Sequence, residues 1–264
     1  MHKSAVADIS FTMKSNFDGY VGVIDSGVGG LTVLRALQRD FPQCSFVYLA
    51  DSAYCPYGVR HPREILCRVQ MLVRFLQHSG VQSVVIACNT ASVYADTLRA
   101  KFLVPIYDVI APTCLRVADV TLSKRVALLA TNATVASGAY QRRLAERDIA
   151  VVAFACSSFV PFVEANRVDT CACDQAFNRT LASLPICNVD TVVLGCTHFP
   201  IMRKKIAPFA HGAKIVECCT DFTPQSSVAI VTPAETLFLT TGVASQANEA
   251  AHWFGNVNFL HVDI

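Results

Sequence analysis

From residue 20 onward, short aliphatic runs alternate with stretches whose apolar residues fall at helical spacing, and the rhythm stops once and then resumes. Few folds accommodate such a pattern. "YVGVIDS" (20–26) and "SFVYLAD" (45–51) read as strands, and between them "GGLTVLRALQRDF" (29–41) sets Leu31, Leu34, Leu37 and Phe41 on one helical face, which makes a βαβ unit. Residues 62–80 predict a second helix, with Pro62 in its first turn and Gly80 at its end. "VQSVVIAC" (81–88) is the third strand, apolar almost throughout, as a parallel strand covered on both faces should be. A helix over 91–102 and the run 104–110 complete this series, and Pro105 and Pro112 mark its end. Strands at 125–131, 149–156, 189–196 and 213–218, with helices near 134–147, 159–166, 172–184 and 200–209, form a second series. An amphipathic stretch (223–240) and a last aliphatic run (256–264) follow, and residues 1–19, which lack periodicity, are expected to be a flexible extension. The implied fold class is α/β, with two open, mostly parallel sheets carrying helices on both faces and ligands bound in the cleft beyond the carboxyl ends of the strands.

Composition agrees with a large core. The 264 residues are 53% hydrophobic and 16% charged, which excludes disorder for most of the chain. The net charge of +2 is scattered, with no basic face for nucleic acid. No run reaches 18 apolar residues and the first twenty residues hold no apolar signal core, so a membrane span and a secretory signal are not expected and a cytoplasmic location is. The twelve cysteines form no C-x-x-C pair and read as free thiols in a reducing compartment.

Two of those cysteines occupy equivalent places. "SVVIACNTAS" (83–92) and "TVVLGCTHFP" (191–200) each end an apolar strand on a thiol, followed by capping residues and a helix start. Singly, Cys88 or Cys196 would be a buried filler. Together they allow three chemistries: a zinc site built from Cys88, Cys196, His198 and Asp25; acyl transfer with Cys196 as nucleophile, which leaves Cys88 idle; or proton transfer by two thiols on opposite faces of a carbanion, which uses both. "DSGVGG" (25–30) also joins a strand to a helix. It fits neither dinucleotide nor P-loop spacing, and Asp25 at its start is either a cap or a functional carboxylate.

The blocks "YVGVIDSGVGGLTVLRAL", "YLADSAYCPYG", "VVIACNTAS", "SFVPFVE" and "VVLGCTHFP", in this order across residues 20–217, resemble the glutamate racemases of the aspartate/glutamate racemase superfamily. The resemblance implies cofactor-independent interconversion of L- and D-glutamate for peptidoglycan synthesis. It also implies two pseudo-symmetric domains of three layers with the active site in the cleft, here 20–112 plus 220–264 and 113–219. Cys88 and Cys196 are similar to the family's catalytic thiols, Asp25 to the acid that assists the first, and His198 with Glu164 to the pair that assists the second. Ser26, Pro56, Tyr57, Gly58, Asn89, Thr90, Thr134 and Thr197 are similar to its substrate-binding residues. Where the family usually shows an Asp-Ser pair, this chain reads "VECCTDFTP". The expected partner is the small molecule glutamate, with aspartate the nearest rival, no metal or other cofactor, no nucleic acid and no membrane; assembly as a homodimer stays open. No Lys in these blocks offers a pyridoxal attachment point. An α-proton is far less acidic than a thiol of pKa about 8.5, so donors that stabilise the carbanion's carboxylate are required.

Overall fold

The computed structural model describes residues 16–182, 189–224 and 233–264. Among the described residues ten strands form two sheets. The first contains β1 (Tyr20–Asp25), β2 (Ser45–Ala50), β3 (Ser83–Ile86), β4 (Ile106–Asp108), β9 (Thr236–Thr240) and β10 (Phe259–His261), in the order β10-β9-β2-β1-β3-β4. The second contains β5 (Arg125–Ala130), β6 (Ala150–Ala155), β7 (Thr191–Gly195) and β8 (Lys214–Val216), in the order β6-β5-β7-β8. All the pairings are parallel. Numbered within each series, β2-β1-β3-β4 and β6-β5-β7-β8 are the same arrangement, so β3 and β7 are equivalent strands.

Central strands are apolar on both faces because helices cover both: every residue of β1, β2, β3 and β7 is buried. β6, at a sheet edge, is only partly covered. The Pro62–His78 helix begins as its sequence implies, with His61 Nδ1 accepting the Arg63 N–H at 3.2 Å and Pro62 in the first turn. One apolar core crosses between the sheets, joining Val28, Leu31 and Leu34 to Phe159, Phe199 and Met202.

Several local expectations change. The helix expected over 134–147 is two, Asn132–Ser137 and Ala139–Ala145, because Gly138 takes a left-handed conformation (φ 66°) between them. The helix expected over 91–102 is also two short pieces, Asn89–Ser92 and Ala95–Arg99, and the one expected over 200–209 is a single α-turn, Arg203–Ile206, between 3-10 turns. Of the stretch 223–240, residues 225–232 lie outside the described residues and Thr236–Thr240 is a strand. Of residues 1–19, 1–15 lie outside them too, while Phe17 is buried against Tyr20 and Phe75 and donates its N–H to Ser79 O at 2.6 Å. Among the described residues no helix is long and apolar enough to cross a membrane, and the eleven cysteines there are all free.

Candidate active site

Strand register brings the site together. β1 pairs Ile24 with Ile86 of β3, and β5 pairs Ala130 with Gly195 of β7. The central strands of each sheet therefore end flush, and the residues that follow emerge at one edge: Ser26 with Cys88, and Thr131 with Cys196. Both thiols line one cavity between the sheets, together with Ser26, Asn89, Thr90, Thr131, Thr197 and His198, the Pro56–Gly58 segment and Val160. Its free volume is about 10 Å³, roughly the room of one water.

Each thiol has its own acid–base neighbourhood. Cys196 Sγ lies 3.7 Å from His198 Nδ1, and His198 Nε2 lies 2.6 Å from Glu164 Oε1, which also accepts the Val28 N–H at 2.9 Å. Burial works against the imidazolium, but the hydrogen bonds and charges of Cys196 and Glu164 outweigh it and raise the His198 pKa well above the usual histidine value. His198 is thus held protonated. On the other side, Cys88 Sγ points to Ser26 Oγ at 3.8 Å, and burial, reinforced by the Asp25 charge, pushes this thiol up to about 12.

Asp25 is fully buried, and burial raises its pKa from 3.8 to about 6 against the opposing pull of His198, the Gly27 N–H and Thr197. Its oxygens accept from Gly27 N at 3.0 Å and Thr197 Oγ1 at 3.0 Å, so its direct bonds run toward the Cys196 side and its influence on Cys88 is through charge. The glycines of "DSGVGG" serve close approach more than a phosphate cradle: a Cβ at Gly27 would stand 2.0 Å from Glu164 Oε1, and one at Gly29 2.4 Å from His198 Nδ1.

Asp25, Glu164 and Thr134 are not among the residues lining the cavity; they bond to ones that are. Thr90, Thr131 and Thr134 form a triangle of hydroxyls with sides of 2.9, 3.2 and 2.9 Å that ties β3's end to the second sheet. Tyr57 donates to Asp51 Oδ2 at 2.5 Å, and Asp51 is in turn locked by Arg68 and Thr241, which fixes the Pro56–Gly58 segment at the cavity wall. Thr131 and Val160 escape sequence reasoning. The signal for Thr131 was its place directly after a central strand, the counterpart of Ser26.

Among the described residues no group of three or more His, Cys, Asp or Glu side chains could hold a metal ion, and both His198 nitrogens already face partners. Cys196, His198 and Glu164 do form a thiol–imidazole–carboxylate line despite the two-residue spacing, the geometry that nucleophilic catalysis also uses. Such a line does not employ Cys88.

The family model described as Asp/Glu/Hydantoin racemase matches residues 30–221. A glutamate racemase of Shouchella clausii is 32% identical over 260 residues, covering 92% of this chain and 94% of that one. A glutamate racemase isoform of Bacillus anthracis superposes with a TM-score of 0.84 at 29% identity, covering 95% of this chain and 98% of that one. A Francisella tularensis glutamate racemase, in complex with D-glutamate, gives a TM-score of 0.80 at 25% identity, with coverage of 95% and 98%. This chain belongs to the Asp/Glu/hydantoin racemase family and, within it, to the glutamate racemases.

Proposed function

We propose that the chain interconverts L- and D-glutamate by proton transfer between Cys88 and Cys196 across the α-carbon, supplying D-glutamate for peptidoglycan. The observation that carries this reading is that both thiols, from equivalent strand ends, line one cavity with unlike acid–base partners. One thiolate removes the α-proton, the electron pair delocalises into the α-carboxylate, and the opposite thiol returns a proton to the other face. Cys88, pushed up to about 12, is the protonated partner, while the imidazolium of His198 can donate from Nδ1 to the Cys196 sulfur. This pattern makes Cys196 the base and Cys88 the proton donor for one enantiomer; that this enantiomer is L-glutamate follows from the resemblance to the family alone. Ser26, Asn89, Thr90, Thr131 and Thr197, with backbone N–H groups of the Tyr57–Gly58 turn, are the donors for the substrate's carboxylates.

The matching strand orders support treating 20–112 with 220–264 as one domain and 113–219 as the other. Free thiols fit a reducing cytoplasm.

The test is exchange and elimination. A chelated preparation should exchange the α-proton of both glutamate enantiomers in heavy water and racemise aspartate far more slowly. Cys88→Ser and Cys196→Ser should each lose racemisation, because every turnover needs both groups. Each should still eliminate HCl from one enantiomer of a β-chloro glutamate analogue, with opposite preferences, since elimination needs only one abstraction. The same preference in both variants would show that the thiols do not face opposite sides of the α-carbon.

A further inference from the structure

Asn89 lines the cavity, and its amide is gripped from both sides by residues that take no part in moving the proton. The Tyr140 hydroxyl, from the Ala139–Ala145 helix, donates to Asn89 Oδ1 at 2.7 Å. Asn89 Nδ2 donates to Cys218 Sγ at 2.9 Å, and the Cys218 thiol donates to Leu194 O at 3.1 Å. A chain of three hydrogen bonds thus runs from the second sheet's helix through the cavity wall to β7. Burial raises the pKa of both the Tyr140 hydroxyl and the Cys218 thiol, so each keeps its proton and its donor role.

The inventory of the amide then decides its orientation. Asparagine has two N–H donors and a carbonyl oxygen. A flipped amide would set its oxygen against the Cys218 sulfur, whose single proton already lies on Leu194 O, and lone pair would face lone pair. In the observed orientation one N–H is spent on Cys218 and the second is left over on a residue of the cavity wall. We propose that Cys218 and Tyr140 are positioning residues that lock the Asn89 amide so that its remaining N–H meets a substrate carboxylate. The inference rests on the racemase reading and gives a purpose to the first thiol of "VECCTDFTP", the stretch that departs from the family's Asp-Ser pair.

A double-mutant cycle on the full chain tests it, with steady-state racemisation of both glutamate enantiomers and thermal unfolding measured in parallel. Cys218→Ala removes the sulfur acceptor and should raise KM for both enantiomers by roughly tenfold with kcat little changed, the mark of lost uniform binding. Cys218→Ser, which keeps an acceptor and a donor, should restore KM to within about threefold of the unmodified chain. In an Asn89→Ala background Cys218→Ala should change nothing further. An unchanged KM in Cys218→Ala, or an effect of equal size in the Asn89→Ala background, overturns the inference. Should Cys218→Ala fail to fold, Tyr140→Phe deletes only the hydroxyl and is read in the same cycle, with the same two outcomes deciding. If the unmodified chain exchanges no α-proton, the racemase reading falls and takes this inference with it; normal turnover with additive mutants sinks the inference alone.

Discussion

Asp25 is a fully buried carboxyl whose surroundings work against its charge. Its folded carboxyl holds a proton to about pH 6, whereas an unfolded one releases it near 3.8. A raised carboxyl pKa stabilises the fold fully below 3.8, and that contribution is lost as pH rises through 6. Asp25→Asn lacks this titration. Denaturant unfolding at pH 4 and pH 7.5 should show the unmodified chain losing about 2 to 3 kcal/mol relative to the variant, from the cited shift at 1.36 kcal/mol per unit. Turnover of Asp25→Asn should fall by about 10² to 10⁴, the scale of a positioned acid–base group. Parallel stability curves would mean that Asp25 titrates as it would in water. At this scale Cys88, Cys196, Asp25 and His198 are legible because each sits in a quotable block at the end of an apolar run. Thr131 and Cys218 are not, because what matters for them is the partner that register and packing bring near.

Among the elements, the alternation of strand and helix was readable because parallel strands covered on both faces leave a continuous apolar signature, and β1, β2, β3, β5 and β7 each lie within two residues of their expected bounds. What escaped were the breaks. Gly138 splits a helix whose apolar spacing runs straight through it, and β9 and β10, from the amphipathic stretch and the last aliphatic run, were not placed as the strands that extend the first sheet. The turn after β1 shows why a glycine-rich segment was ambiguous: composition announces close approach but does not say to what. Here it is the carboxylate and imidazole that serve Cys196. Gly27→Ala should therefore displace Glu164 and cut turnover at least tenfold, while the far-ultraviolet circular dichroism stays that of the parent. Full activity in that variant would mean that Glu164 yields without consequence, and its bond to His198 would lose its assigned importance.

For the whole molecule, a cavity of about 10 Å³ sets a condition on the working cycle. Glutamate, with ten non-hydrogen atoms, does not fit there, and parting the two sheets to admit it would break seams such as Val28 N–H to Glu164 and Thr32 Oγ1 to Thr197 O. Hydrogen exchange reads this directly: glutamate held by the parted form raises that form's population, so at glutamate ten times its Kd the Val28 amide should exchange at least roughly tenfold faster. Amides at the centre of β1 should not respond. A Val28 amide indifferent to glutamate would mean that substrate enters without parting the seam. The repeated strand order has a consequence of another kind. It gives the two thiols equivalent strand ends, while the two forms of glutamate are mirror images of equal free energy, so the equilibrium constant is unity whatever the protein does. The neighbours of the two thiols are nevertheless unlike, His198 and Glu164 on one side and a buried Asp25 near the other. Asymmetry of that kind can make one direction faster at saturation only if the same direction also binds its substrate more weakly in proportion, so that kcat/KM for L-glutamate and for D-glutamate remain equal.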